Sequence, residues 1–162
     1  MRKERVAILL AVVLVVAIAA GLLFKKGTEN TGKKETINLP VMAEEMLNIV
    51  GDAEDMTLLP AEKTESIYGI SNQLVKNQIV YISSGATAHE IALFECTDEE
   101  AAGQVKQALE DRIAYQLDSF RDYVPSEVAK LEKAKVYIKD NFVCMCIAKD
   151  VNEVEAFMKR YI

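Results

Sequence analysis

The sequence predicts an α+β fold: a four-stranded antiparallel sheet with helices on one face, preceded by one N-terminal transmembrane helix. Three observations predict it. Residues 6–24 form an unbroken apolar run. From residue 78 onward, short β-branched and aromatic segments end at turn residues. The order strand, strand, capped helix then occurs twice, over 78–121 and 134–161. Amphipathic helices laid on one face of such a sheet would bury enough apolar surface for a domain of this size.

The apolar run, VAILLAVVLVVAIAAGLLF, has no polar side chain. As a helix it measures about 28 Å at ~1.5 Å per residue, close to the ~30 Å hydrocarbon core of a bilayer. A core helix of that length would carry a polar stripe, and this one has none. Ala17-Ile18-Ala19 fits a signal-peptidase site, but the run continues to Phe24 and stops at Lys25-Lys26, which suits an uncleaved anchor. No cysteine follows closely enough to carry a lipid. Lysines and arginines flank both ends, so charge alone does not orient the segment. The short basic N-terminus reads as an export start, with a single-pass anchor in the cell membrane and the C-terminal domain outside the cytoplasm. The expected organisation is an anchor with its flanks over residues 1–26, a flexible polar spacer over 27–39 and a folded domain over 40–162.

Charge narrows the partners. The whole chain has 19 basic and 25 acidic residues. Its first 26 residues hold five of the basic and one of the acidic ones, leaving 14 basic and 24 acidic, a net of −10. A domain this acidic repels phosphate backbones, so nucleic acid is excluded as a partner. The membrane, through the N-terminal helix, and a protein at the cell surface are the partners expected.

Along the domain, Val41–Val50 places apolar residues at 42, 43, 46, 47, 49 and 50, a helical stripe ended by Gly51. Residues 52–70 read as irregular around Leu58-Leu59-Pro60. Ile79-Val80-Tyr81-Ile82 is the first strand and Glu90–Cys96 the second. Thr97 with Glu100 reads as a capping box for a helix over 98–122, striped by Ala101, Val105, Ala108, Leu109, Ile113, Leu117 and Phe120. Pro125 opens a short helix to Leu131. Ala134–Lys139 alternates like a half-exposed strand, Asp140-Asn141 makes a two-residue turn, and Phe142–Ala148 is apolar on both faces like a central strand. Asp150 and Glu153 open the last helix.

The residues carry little catalytic signal. His89 is the only histidine; beside Glu90 it could share a proton or a metal, yet no second histidine or spaced cysteine accompanies it. Cys96, Cys144 and Cys146 are odd in number and sit on strands, so they read as small buried hydrophobes. A bridge from Cys96 to Cys144 or Cys146 would need neighbouring strands. Glycine-rich phosphate loops and zinc-protease patterns are absent, so no catalytic residue, cofactor or metal is assigned. Arg112, Gln116 and Phe120 recur at four-residue spacing along one side of the long helix. Arg112 lies among apolar neighbours, which suggests pairing with a nearby carboxylate that holds the helix end against the Tyr123–Pro125 loop.

Tyr68-Gly69-Ile70, the run Ala86-Thr87-Ala88-His89-Glu90-Ile91-Ala92-Leu93-Phe94, and Arg112, Gln116, Phe120, Tyr123 and Pro125 resemble the domain-of-unknown-function family number 4358. The resemblance covers residues 40–162. It implies a surface protein of clostridia-like Gram-positive bacteria, with one domain behind a lipoprotein signal or a membrane anchor. Here, without the lipobox cysteine, a transmembrane helix takes that role. The resemblance assigns no activity.

Two functions compete on these grounds. One is a non-enzymatic, membrane-tethered module for binding or assembly. The other is a small-ligand receptor or enzyme with a site around Arg112, Tyr123 and His89, in which Arg112, Gln116 and Tyr123 hold the ligand. A cavity joining these residues favours the second, and their separation on the surface favours the first.

Overall fold

A computed structural model describes residues 34–51 and 53–162. The expected transmembrane helix and most of the spacer lie outside the described residues. Among the described residues no helix is long and apolar enough to cross a membrane.

The chain runs α1 (Leu39–Val50), β1 (Met56–Leu58), α2 (Ala61–Tyr68), β2 (Val75–Ser83), β3 (Glu90–Cys96), α3 (Glu99–Tyr123), α4 (Pro125–Leu131), β4 (Val136–Lys139), β5 (Phe142–Ile147) and α5 (Val151–Met158). The strands form one antiparallel sheet in the order β1-β2-β3-β5-β4. This is the α+β, antiparallel architecture expected, with two corrections.

The sheet has five strands rather than four. The extra strand, β1, pairs with the end of β2 through Met56↔Ser83, Thr57↔Ile82 and Leu58↔Tyr81. Three residues between Asp55 and Leu59-Pro60 are too few to show a period of two. The following helix, α2, lies in the stretch read as irregular. It buries only Thr64 and Tyr68, one turn apart, so it carries too little apolar stripe to be recognised.

Helices also cover both faces, not one. Ala92, Phe94 and Cys96 of β3, with Val143, Met145 and Ile147 of β5, face a core closed by Val105 and Leu109 of α3, Leu131 of α4 and Tyr68 of α2. The intervening residues Ile91, Leu93, Phe142, Cys144 and Cys146 face a second core under α1 and α5, filled by Met42, Met46, Val154, Phe157 and Met158. The cause is legible in β5: a strand apolar at successive positions needs cover on both sides.

Local chemistry sets the element ends. Asn38 caps α1, its side chain accepting from Val41 N–H at 3.2 Å. The α3 cap is Asp98, one residue beyond Thr97, with Oδ1 accepting from Ala101 N–H at 2.8 Å. Asp150 caps α5 in the same way, accepting from Asn152 N–H at 2.8 Å. The β4–β5 turn falls at Asp140-Asn141, where Asp140 takes the left-handed conformation at φ 51°. Its tip is tied to β3 by Cys96 N–H donating to Asn141 O at 2.7 Å.

The three cysteines are free and buried. β3 and β5 are neighbours, but Cys96 lies in the core under α3, while Cys144 and Cys146 lie in the other. The sheet itself therefore separates Cys96 from the pair. Burial pushes the Cys146 thiol up to about 12 and the Cys96 thiol up to about 11. Thiolate is the reactive form. All three are expected to resist a thiol reagent at mildly alkaline pH in native protein and to react together once denaturant is added. Thiol counting by mass checks this, and a native adduct at any of them would contradict the packing.

Candidate functional site

Glu90 opens β3 on the face that packs under α3, and its side chain is 2 % exposed. An isolated buried carboxylate would be costly, so partners have to surround it. Tyr68, the last residue of α2, donates its phenol O–H to Glu90 Oε1 at 2.7 Å. From α3, Arg112 donates Nε to both oxygens at 3.3 Å and Nη2 to Oε2 at 2.9 Å. Gln116, one turn on, donates Nε2 to Oε2. These four donor atoms suit an ionised carboxylate, which can only accept. They also join three elements, α2, β3 and α3, at one point.

Electrostatics follow this arrangement. Burial, then the Glu90 charge, raises the Tyr68 phenol well above its ordinary range, so it stays a donor. Burial opposes the Arg112 charge, but the hydrogen bonds and charge of Glu90 outweigh it and the guanidinium is held more firmly protonated. Arg112 also lies over the Tyr68 ring, 5.5 Å from its centroid, and near Tyr115 at 5.9 Å. The fork to Glu90 uses Nε and Nη2 and leaves Nη1 outside it.

Beside this network lies a cavity of about 290 Å³ between the β2–β3 loop and α3. Arg112, Gln116 and Tyr123 all line it, and so does His89. Residues that the sequence set as much as 34 positions apart thus share one space. The nearby carboxylate expected to pair with Arg112 is Glu90 of the sheet. Tyr123 stands at the mouth, 77 % exposed, with Tyr115 66 % exposed two turns earlier. Ser83, Thr87 and Ser119 add hydroxyls to the wall. Sequence reasoning missed Tyr115, Ser119 and the central place of Glu90. The available signal was a carboxylate opening a strand whose next four residues are all apolar.

The loop side is held by a second group of charges. Glu127 of α4 accepts from Ala88 N–H at 2.9 Å and from Lys130 Nζ at 2.8 Å. Lys130 Nζ lies 3.0 Å from His89 Nε2. Together these clasp α4 to the approach of β3. No group of three or more metal-ligating side chains occurs among the described residues.

A family model described as "Domain of unknown function (DUF4358)" matches residues 50–148. The chain belongs to this family. The match takes in every residue of the cavity and the whole sheet from β1 to β5. No curated protein and no solved structure matches the chain. For this DUF4358 domain, function therefore has to be argued from the cavity.

Burial alone would raise the Glu127 carboxyl, but the Ala88 N–H, then the Lys130 hydrogen bond and charge, outweigh it and hold it below the usual carboxylate range. The unfolded chain binds that proton more tightly than the folded one. The clasp therefore stabilises fully above the unfolded value of ~4.3, and this is lost as pH falls through the lowered native value. Glu127→Gln is expected to cost about 1–2 kcal/mol at neutral pH. The gap from the unsubstituted protein should close in acid, as denaturant melts across a pH series would show. A gap that widens in acid would contradict the sign.

Proposed function

We propose that this chain is a membrane-tethered, extracytoplasmic domain that binds a small molecule in the cavity over Glu90. The observation that carries the reading is the convergence of His89, Arg112, Gln116 and Tyr123 on one cavity, backed by a buried polar network. Two of the larger cavities, of about 430 and 610 Å³, lie beside Ile37–Pro40 and beside Lys76 and Asp98, and neither is backed by such a network. Binding is favoured over catalysis. Ser83 Oγ donates to Thr87 O at 2.5 Å and Ser119 Oγ to Tyr115 O at 2.9 Å, so each hydroxyl proton is spent on a carbonyl rather than on a base.

The tether rests on the apolar run to Phe24 and its Lys25-Lys26 stop, and the outward orientation on the signal-like start. The family resemblance to anchored surface proteins of Gram-positive bacteria agrees with both. Protease added to intact protoplasts of the native host should remove the domain and spare cytoplasmic proteins; a protected C-terminus would reverse the orientation. For binding, saturation-transfer NMR of the full chain with a library of small neutral and charged fragments should give hits that Tyr123→Ala weakens. Hits indifferent to Tyr123→Ala and Tyr115→Ala, or none at all, would return the reading to a protein-assembly module.

A further inference from the structure

The hydrogen-bonding state of the cavity wall limits what can enter. Glu90 only accepts, so the Gln116 amide is fixed with Nε2 toward it and Oε1 left as an acceptor. Gln116 is 5 % exposed, lines the cavity, and its Oε1 has no hydrogen-bond partner among the described residues. Arg112 lines the same cavity with Nη1 outside its fork to Glu90. A ligand completing both must donate to Gln116 and accept from Arg112. A carboxylate cannot donate, and it would face Glu90 and the net negative domain. An ammonium cannot accept, and it would face Arg112. What remains is a neutral group that does both, a hydroxyl or an amide.

Size and rim choose between them. At about 290 Å³ the cavity is at the small end of the ~300–1,000 Å³ typical of ligand sites, room for a single ring rather than a length of chain. Its floor strands β2 and β3 are paired on both sides, so an extended peptide cannot add to the sheet there. Tyr115 and Tyr123 leave two aromatic rings exposed at the mouth, with Ser119 between them on the same side of α3. An aromatic face is suited to the C–H face of a pyranose, while the ring hydroxyls meet Gln116, Arg112 and the serines.

We infer that the cavity takes one neutral pyranose sugar ring, stacked at the tyrosine rim with its hydroxyls on Gln116 and Arg112. This rests on the reading of the cavity as a ligand site. Gln116 Oε1 is sealed from solvent, so the sugar reaches it as the side chains above it part.

The test is an NMR titration of the full chain in a zwitterionic detergent, which carries no sugar headgroup. The probes are glucose, galactose, mannose and N-acetylglucosamine, with glucuronate and glucosamine as charged partners of the same ring and N-acetylglycinamide as a neutral amide. At least one neutral sugar should shift the amides of Ala88, Gln116 and Ser119. Glucuronate and glucosamine should bind roughly tenfold more weakly or worse. Tyr123→Ala, at an exposed position, should weaken the neutral sugar by about tenfold without altering the spectrum elsewhere. Tighter binding of either charged sugar, or binding of N-acetylglycinamide alone, would overturn the sugar assignment and leave the ligand site standing. No shift at the cavity with any probe would overturn both.

Discussion

Arg112→Ala is expected to lower the stability of the domain by about 3–5 kcal/mol, because it strands the Glu90 carboxylate in a nearly dry site. The ion pair is 19 % and 2 % exposed on its two sides, so solvent screens it little. Tyr68 and Gln116 would still donate to Glu90, but neither carries the compensating charge. Arg112→Lys should recover part of the loss and no more, since an ammonium cannot reproduce a planar fork that reaches both oxygens. Removing both charges, with Glu90→Gln and Arg112→Met together, should cost much less than Arg112→Ala alone, because no unpaired buried charge remains. Denaturant melts of the three variants check the series. A double variant as unstable as the single would mean that packing, not charge, dominates at this point.

Phe94→Ala should be as damaging, at about 3–5 kcal/mol, through a different cause. Phe94 is wholly buried at the centre of β3, in the core closed by α3. Its ring meets Tyr68 edge-on, with centroids 6.4 Å apart and planes at 75°. Truncation leaves a cavity between sheet and helix that the rigid strand cannot close, and it removes the surface that positions Tyr68 against Glu90. The loss should therefore appear in melts and also as shifted amide resonances around Glu90 and Gln116. A variant that melts like the unsubstituted protein would contradict the packing described for this face.

Much of the fold was legible because its strongest signals are local. The β3 strand, the start of α4 at Pro125, the Asp140-Asn141 turn and the long α3 helix each carry a periodic pattern or a capping residue within a few positions. The short β1 strand and the polar α2 helix carry neither, and they form because β2 and the core offer them a place. The two-sided cover of the sheet was visible in β5, whose every residue is buried. Placing the helices on one face ignored what that strand demands. The site divides in the same way. The spacing of Arg112 and Gln116 on one helix face is local and showed itself. Their convergence on Glu90 and Tyr68, 22 or more positions away, is a product of the fold and has no sequence period. Likewise Tyr115 and Tyr123 look like ordinary surface residues until the cavity is seen beneath them.

The claim that the cavity over Glu90 is the working site is tested most directly by an amide chemical-shift map of the full chain with whichever fragment binds it at saturation. The account predicts shifts confined to Ile82–Glu90 and Arg112–Tyr123, the two segments that wall the cavity. Shifts centred instead on Tyr137 and Lys159 beside the β4 edge, or on Ile37 and Pro40, would place the ligand in another cavity and contradict it.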